Sequence, residues 1–322
     1  MQPRDTLDPA SPRSRRALLA SLATISATAL LDRPRARAQV ADPAVTAAVS
    51  TPIFADIVAN VGGDRVAAYS VIPVGVDPHT WEASPGDIVR AAESDTFISM
   101  GAHLEPFVEP GAWRRAVQEA GSPTLELAQH VDLIAVDRVI DHGDHVHDLR
   151  EGDPHVWLDP DRTVQVVDAV QTHLTTLDPD GQPTYAANAE VYRAELRALD
   201  EELTVAFAAI PAERRKLVVF HDAFTYFAAR YDFAVVGVVL KSPSDEPSAR
   251  DLRELIDAIR AAEVPVIFTE PQYDRAVVDS IAAEAGVRVG EILTDTFAPG
   301  VETYLDLMRF NRDSLVTNLT AG

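Results

Sequence analysis

The chain has 322 residues, of which 47% are hydrophobic, and it carries 50 acidic against 28 basic side chains, a formal net charge of −22. The first 38 residues hold seven arginines and three acids, so residues 39–322 carry 21 basic and 47 acidic side chains, a charge of −26. Such a surface excludes nucleic acid as an expected partner, because nucleic-acid binding needs a basic footprint, and it favours a cation instead. The length allows one large or two medium domains.

Residues 1–38 have the features of an export signal. Arg15 and Arg16 precede an apolar run of 15 residues from Ala17 to Leu31, and Ala36-Arg37-Ala38 has the small-x-small form of a cleavage site. The run is shorter than the ~20 residues that a membrane-spanning helix needs. We therefore expect a signal peptide, of twin-arginine or general secretory type, and a mature protein in the periplasm.

The chain contains no cysteine. Disulfides, thiolate metal sites and cysteine nucleophiles are therefore excluded. The lipid-modified cysteine that tethers many exported binding proteins is missing as well. The sequence thus predicts a periplasmic protein that is freely soluble and has no lipid anchor.

From residue 39 onward, short apolar runs alternate with helical stretches. The expected strands are 45–49, 66–74, 96–100, 124–127, 216–220, 233–240, 264–269 and 287–293. The expected helices are 52–61, one with its capping residue near Ser84, 248–262 and 274–285. Runs that are apolar on both faces suit parallel strands covered by helices, so the pattern predicts an α/β protein with mainly parallel sheets.

One helical segment in the middle of the chain is much longer than the others. Between residues 184 and 209, apolar side chains recur every three or four positions, which indicates one helix of roughly seven turns. Pro183 and Pro211 bound this segment. We expect two βα domains, residues 39–182 and 211–322, which face one another across a cleft and are joined by a helix over residues 183–210.

A repeated pentapeptide carries the candidate chemistry. Asp77-Pro78-His79-Thr80-Trp81 and Asp153-Pro154-His155-Val156-Trp157 share the pattern D-P-H-x-W, in a chain with nine histidines and three tryptophans. Proline fixes its own φ and biases the preceding residue towards an extended conformation, so each histidine leaves a stiff corner in a set direction. A single histidine usually makes ordinary hydrogen bonds, but the repetition favours metal ligation for both, with Asp77 or Asp153 as an acceptor for a ring nitrogen.

Two more side chains are placed to join these histidines. His221 follows strand 216–220 and Asp295 follows strand 287–293, and ligands of open α/β sheets bind at the carboxyl ends of strands. Three imidazoles and one carboxylate would form a four-coordinate shell around a divalent cation, with zinc the natural occupant. Asp295 could instead begin a turn. Glu270, at the end of strand 264–269, is the rival fourth ligand, and we favour for it an outer position that supports a ligand.

A histidine-bearing segment lies between His79 and His155, the two expected ligands of the first domain. From Asp141 to Asp148, three histidines alternate with three aspartates; the histidines are His142, His145 and His147. A polar stretch without periodicity predicts a flexible loop, and its histidines make it a candidate auxiliary site that holds metal weakly. A solvated charged loop is the alternative.

The motif segments, together with Phe220-His221-Asp222-Ala223-Phe224, Thr269-Glu270-Pro271-Gln272 and Thr303-Tyr304-Leu305-Asp306-Leu307-Met308, resemble in order those of a known family. It comprises the zinc and manganese solute-binding proteins of bacterial ABC importers (cluster A-I). The resemblance implies two βα domains joined by one long rigid helix, with the metal between them.

The same resemblance implies a ligand set of His79, His155, His221 and Asp295. Manganese members tend to place a glutamate where His221 stands, so the resemblance implies Zn²⁺ rather than Mn²⁺. The acidic, histidine-bearing segment also resembles the loop of zinc members, although it is short here. We expect zinc binding to weaken as the histidines protonate near their ordinary pKa of ~6.5, because the metal needs the neutral ring.

The expected function is therefore that of a periplasmic zinc-binding protein and not of an enzyme. It would be a monomer that captures Zn²⁺ in the cleft and delivers it to the membrane permease of an ABC transporter, with a periplasmic zinc chaperone as a further candidate partner. The alternative is an exported zinc-dependent hydrolase, which needs an open coordination position and a general base such as Glu270 or Glu82. Surface adhesion is a third class, which the missing lipid-anchor cysteine disfavours.

Overall fold

The computed structural model describes residues 42–108, 111–135, 139–141, 146–148, 152–240 and 247–320. All of these belong to one compact unit, residues 40–322. The expected signal peptide lies outside the described residues. None of the described helices is long and apolar enough to cross a membrane.

Parallel pairing dominates the ten strands of the described part. A four-stranded parallel sheet has the order β2-β1-β3-β4, β7 pairs with β8 and β9 with β10 in parallel, and β5 pairs with β6 antiparallel. The strands are β1 (Val45–Val49), β2 (Val66–Ser70), β3 (Thr96–Ser99), β4 (Thr124–Glu126), β5 (Val139–Asp141), β6 (Val146–Asp148), β7 (Lys216–His221), β8 (Ala234–Leu240), β9 (Val266–Thr269) and β10 (Arg288–Glu291).

Nine α-helices of the described part alternate with these strands, which confirms the predicted α/β class. They are α1 (Pro52–Gly62), α2 (Pro85–Ala92), α3 (Ala112–Ala120), α4 (Pro160–Leu177), α5 (Gln182–Ala208), α6 (Thr225–Tyr231), α7 (Ala249–Ala261), α8 (Arg275–Ala285) and α9 (Tyr304–Thr320). The predicted cap at Ser84 is confirmed, because its hydroxyl accepts the Asp87 N–H while the Asp87 carboxylate accepts the Ser84 N–H. Ser248 and Asp251 repeat this capping box at the start of α7.

The second strand is shorter than the sequence suggested. β2 ends at Ser70, four residues before the expected end at residue 74. Pro73 has no amide hydrogen to extend a ladder, and Gly75 has a φ of 83°, a left-handed conformation that ends extended structure. The chain therefore leaves the sheet early and forms the loop that carries His79.

The long helix α5 buries the apolar stripe that its sequence period predicted. The buried residues are Tyr185, Ala189, Tyr192, Leu196, Leu199, Leu203 and Phe207. This stripe packs against α1, α4 and α9, in the largest hydrophobic core of the protein. Because a buried leucine truncated to alanine costs about 2–5 kcal/mol, Leu199→Ala should destabilise the whole unit. The division into two domains with α5 as connector stays a prediction.

The last helix is bonded to elements that lie far from it in the sequence. At its first residue, the Tyr304 N–H donates to Asp56 Oδ2 of α1 at 3.0 Å, where the helix dipole favours a carboxylate. The Tyr304 hydroxyl donates to the Trp157 carbonyl at 2.7 Å. Farther along α9, the Asn311 side chain accepts from the Leu293 N–H at 2.8 Å and donates to the Leu293 carbonyl at 2.7 Å. These bonds fix the segments that precede α4 and follow β10.

Candidate metal centre

Both pentapeptides form the stiff corner that their sequence predicts. The Asp77 Oδ1 atom accepts the backbone N–H of His79 at 2.9 Å, and Asp153 Oδ1 accepts that of His155 at the same distance. This local bond holds the histidine backbone two residues beyond the aspartate, as Asx turns do. The two imidazoles are thereby presented from the loop after β2 and from the segment before α4, and both are buried.

His221 and Asp295 lie at or just after the carboxyl ends of two other parallel strands, β7 and β10. His221 is the last residue of β7, and Asp295 lies four residues after β10. The Trp157 Nε1–H donates to the carbonyl of Thr294 at 2.8 Å, so the second pentapeptide is bonded directly to the residue that precedes Asp295. His221 and Asp295 are each only 1% exposed.

The structure brings the four predicted ligands together. One side-chain nitrogen or oxygen from each of His79, His155, His221 and Asp295 lies within 4.8 Å of the others, and we call this group the His₃Asp cluster. The Nε2 atom of His155 lies 3.3 Å from that of His79 and 3.4 Å from that of His221. Asp295 Oδ2 lies 3.2 Å from His221 Nε2, and Oδ1 lies 3.7 Å from His155 Nε2. Four donor atoms thus converge on a point that one cation can occupy.

Two carboxylates orient two of the three imidazoles through hydrogen bonds to their Nδ1 atoms. His155 Nδ1 lies 2.8 Å from Asp153 Oδ1, and His221 Nδ1 lies 2.8 Å from Glu270 Oε1. A proton held at each Nδ1 leaves the Nε2 lone pair for a cation, and metal-bound histidines are usually supported in this way. Glu270 also accepts hydrogen bonds from the Gln272 amide and the Thr294 hydroxyl. These contacts favour the outer position for Glu270 over direct ligation.

The electrostatics of the cluster suit positive charge. Burial opposes protonation of His221, but the Glu270 and Asp295 carboxylates outweigh it and raise its pKa to about 10. Burial raises the pKa of Asp295 to about 6, against the opposing influence of His221 and His155. Without a metal, the cluster therefore retains a proton on His221 at neutral pH, and a cation would take the place of that proton.

Asp295 gives a test of whether a cation fits. Both of its carboxylate oxygens are buried, and neither has a hydrogen-bond partner within the described part of the chain. A buried carboxylate is costly unless a positive charge compensates it, and without a metal the protonated His221, 3.2 Å from Oδ2, supplies that charge, which a bound cation would replace. Three imidazole nitrogens and one carboxylate oxygen are also a donor set that binds divalent transition metals. The residues present therefore fit a bound divalent cation.

Comparison with known proteins identifies the family. The family model described as zinc-uptake complex component A, periplasmic (ZnuA), matches residues 48–318. The chain belongs to the ZnuA family. Members of this family are substrate-binding proteins of metal ABC transporters, which agrees with the resemblance drawn from the motifs.

Relatives of this ZnuA-family chain match it over more than four fifths of its length. It is 29% identical to the manganese-binding lipoprotein MntA of Halalkalibacterium halodurans over 278 residues, 84% of this chain and 87% of the relative. It is 27% identical to the manganese ABC transporter substrate-binding lipoprotein PsaA of Streptococcus mitis over 273 residues, 83% and 86% of the two chains. The solved structure of the periplasmic zinc binding protein TroA from Treponema pallidum superposes with a TM-score of 0.75 at 26% identity, covering 87% of this chain and all of that one.

The structure differs from the prediction for residues 141–148, and the relatives' names differ from the prediction that this ZnuA-family chain has no lipid anchor. Residues 141–148 were expected to form a flexible loop, whereas their two ends pair as the antiparallel strands β5 and β6. His142 and His145 lie outside the described residues, as does the side chain of His147, so the auxiliary site stays a prediction. MntA and PsaA are named lipoproteins. This chain has no cysteine, and its freedom from a lipid anchor stays a prediction.

The sequence did not point to every residue around the cluster. The contact of Trp157 with Thr294 joins positions 137 residues apart, and the Tyr273 ring lies edge-on to His221 with centroids 5.9 Å apart. Tyr273 lies three residues after Glu270, which was the only available signal for it.

Proposed function

We propose that this protein captures Zn²⁺ at the His₃Asp cluster and delivers it to the membrane permease of an ABC importer. The observation that carries the proposal is the convergence of one imidazole nitrogen from each of three histidines and one Asp295 oxygen within 4.8 Å in a buried position. Family membership supports the transport role. The comparisons give no support to the zinc-hydrolase alternative.

The donor set supports zinc over manganese. Imidazole nitrogens suit zinc, whereas manganese favours oxygen ligands and six-coordinate sites. With His79, His155, His221 and Asp295 as ligands, zinc would have the tetrahedral shell of a closed site, with no position for a reactive water. The names of relatives point both ways, since MntA and PsaA are named for manganese and TroA for zinc.

Capture in this scheme is an exchange of ligands. The four side chains replace the water shell of the ion, the Asp153 and Glu270 carboxylates keep the imidazoles in the tautomer that binds it, and His221 loses its proton. Because the fold already holds the donor atoms close together, little ordering is needed when the ion arrives. Protonation of His221 and Asp295 would reverse the process and release the ion.

Location and partners follow from the same proposal. Export by the signal peptide over residues 1–38 would place the mature protein in the periplasm, where it would act as a monomer without a lipid anchor. It would transfer zinc to the permease, and a periplasmic zinc chaperone is a further candidate partner.

Metal content is the direct test. Protein spanning residues 39–322 is stripped with chelator, offered equal zinc and manganese, dialysed and measured by elemental analysis. We expect one tightly held zinc per chain. Retained manganese, or no stoichiometric metal, would contradict the proposal.

A further inference from the structure

The loop that carries His79 is bonded to the residue that follows Asp295. The Gly75 N–H donates to the Thr296 hydroxyl oxygen at 2.7 Å, across 221 positions of the sequence. Gly75 lies two residues before Asp77, whose carboxylate accepts the backbone N–H of His79. Thr296 is fully buried, whereas Gly75 is exposed. This contact, the Gly75–Thr296 bond, therefore connects the loop after β2 to the segment after β10.

Both sequence neighbours of Asp295 take part in such long-range bonds. The carbonyl of Thr294 accepts the Trp157 Nε1–H at 2.8 Å, and the hydroxyl of Thr296 accepts the Gly75 N–H. The bond to Thr294 comes from the second pentapeptide, and the bond to Thr296 comes from the loop that leads into the first. The Asp295 carboxylate thus lies between the two segments that present the motif histidines.

The two connections differ in how many other contacts support them. The second pentapeptide is held by further long-range hydrogen bonds, from the Tyr226 hydroxyl to the Asp153 carbonyl at 2.6 Å and from the Tyr304 hydroxyl to the Trp157 carbonyl at 2.7 Å. Residues 73–75, which lead into the first pentapeptide, are exposed. Loss of the Gly75–Thr296 bond would therefore loosen the first histidine and leave the second in place.

The two partners are suited to a bond that opens and closes. Gly75 has a φ of 83°, a left-handed conformation that glycine adopts without steric penalty. Because Gly75 is exposed, its N–H can donate to water when the bond opens, so opening costs only the net value of one hydrogen bond. His79 is 7% exposed, more than the 1% of His221 and Asp295. The side of the cluster that this bond holds is therefore the one nearer to solvent.

From these contacts we infer that Thr296 is a positioning residue that slows release of the bound ion. Its hydroxyl holds residues 73–79 against the segment of Asp295, and so keeps the His79 imidazole in the His₃Asp cluster. When the Gly75–Thr296 bond opens, His79 can withdraw and the ion can exchange with solvent. The inference rests on the proposed function and deepens it, because it names the contact that sets the residence time of zinc at that same cluster.

The test begins with Thr296→Val, which removes the hydroxyl and keeps the shape of the side chain, and with Thr296→Ser, which keeps the acceptor. Thr96→Val is the matched control, because Thr96 is equally buried and its hydroxyl donates to the Pro123 carbonyl at 2.8 Å, at the first residue of β3. Gly75→Ala opposes the same bond from the other side, since alanine adopts a positive φ only with strain. A Cβ at this position would meet nothing within 4 Å, so this variant leaves the packing unchanged.

Two rates are measured. Stopped-flow mixing of the zinc-loaded protein with excess chelator gives the rate of zinc release. Hydrogen exchange of residues 73–79, followed by mass spectrometry on the metal-free protein, reports on opening of the loop without any metal. Thermal unfolding of the metal-free variants reports on folding.

We expect Thr296→Val to speed zinc release and hydrogen exchange of residues 73–79 by about threefold to tenfold, while Thr96→Val changes neither rate. Thr296→Ser should restore slow release. Gly75→Ala should also speed release, and its combination with Thr296→Val should add little, because both substitutions weaken one contact.

An unchanged rate of zinc release in Thr296→Val would overturn the inference and leave the proposed function standing. Faster release with unchanged exchange of residues 73–79 would show that Thr296 does not act through this loop, and would overturn it too. Equal effects of Thr296→Ser and Thr296→Val would exclude the hydroxyl as the cause. Failure of the unmodified protein to hold zinc would overturn the proposed function itself, and the inference with it.

Discussion

The two D-P-H-x-W pentapeptides have the same sequence pattern and the same backbone corner, but their tryptophans make different contacts with the rest of the protein. In both, the aspartate accepts the backbone N–H of the histidine at 2.9 Å. Trp157 in the second is buried and donates to the Thr294 carbonyl, beside Asp295. Trp81 in the first is half-buried and packs edge-on against Phe107, with ring centroids 4.8 Å apart. The motif therefore specifies how the histidine is presented, and long-range contacts decide how firmly each copy is held.

The largest effects should come from the histidines, where the two copies are equivalent. We expect His155→Ala and His79→Ala each to weaken zinc binding by more than ~100-fold, because each removes one of four donor atoms. Loss of a residue that only hydrogen-bonds a metal ligand typically weakens binding by ~10- to 100-fold. Competition with a zinc chelator measures both losses. A variant that kept the affinity of the unmodified protein would exclude that histidine from the ligand set.

His221, which belongs to neither pentapeptide, should determine how zinc affinity depends on pH. In the proposed site zinc would bind neutral His221, whose pKa of about 10 means that a proton would be displaced on binding at any lower pH. We expect apparent zinc affinity to rise about tenfold per pH unit between about pH 7 and about pH 8.5. If all of the ligand histidines had the ordinary pKa of ~6.5, zinc affinity would instead be constant over this range. Below the Asp295 pKa of about 6 the fall should steepen, because a second proton competes. Affinity that stays flat over this range would contradict the arrangement around His221.

Substitution of the pentapeptide aspartates, Asp77 and Asp153, should affect zinc affinity to different extents. The Asp153 carboxylate contacts both the backbone and Nδ1 of His155, so Asp153→Asn should lower zinc affinity by about 10- to 100-fold. In Asp77→Asn the amide oxygen can still accept the His79 N–H, so we expect a loss under about tenfold. Isothermal titration of both variants makes the comparison, and equal losses would mean that the two corners are supported in the same way.

The tryptophans should differ in their effect on stability. Trp157→Phe leaves the buried Thr294 carbonyl without its donor and creates a cavity, and it should lower the free energy of unfolding by about 2–4 kcal/mol. Trp81→Phe keeps an aromatic ring on Phe107 and should lower it by about 1 kcal/mol. Urea denaturation of the metal-free proteins measures both values. A larger loss from Trp81→Phe would reverse our view of which copy is the more firmly held.

The smallest effect should come from the segment between the pentapeptides. Deletion of residues 141–148 should leave equilibrium zinc affinity nearly unchanged, because the His₃Asp cluster would supply a complete shell without this segment. The deletion should slow metal capture or transfer. Stopped-flow mixing with zinc, beside the equilibrium titration, separates these outcomes. A loss of affinity as large as that of His155→Ala would place this segment in the primary site.

Local sequence was sufficient to predict much of this architecture. β1, α5 and the cap at Ser84 follow from periodicity and capping chemistry, which act over a few residues. The convergence of His79, His155, His221 and Asp295 was predicted from a repeated motif, from strand ends and from the resemblance to known binding proteins. The early end of β2 was missed because its apolar run continues to Val74 beyond the last ladder residue.

Contacts between distant residues could not be predicted. Nothing near Trp157 indicates that Thr294 will accept its N–H, and nothing near Tyr273 indicates that its ring will stack on Phe220, 53 positions earlier in the sequence. Such contacts depend on how helices and sheets pack against each other. They are also the contacts that distinguish one copy of the pentapeptide from the other.

The bonds made by Tyr304 have a consequence for the order in which the molecule is assembled. This residue joins α1, near the beginning of the described chain, to the backbone of Trp157, and its helix holds the peptide of Leu293 near Asp295. A growing polypeptide that has reached His221 but not α9 already contains three of the four donor side chains, yet it lacks the supports that align them. Capture of a metal ion at this cluster would therefore be a property of the completed chain, and a nascent or truncated protein would compete poorly for the ion before its synthesis is finished.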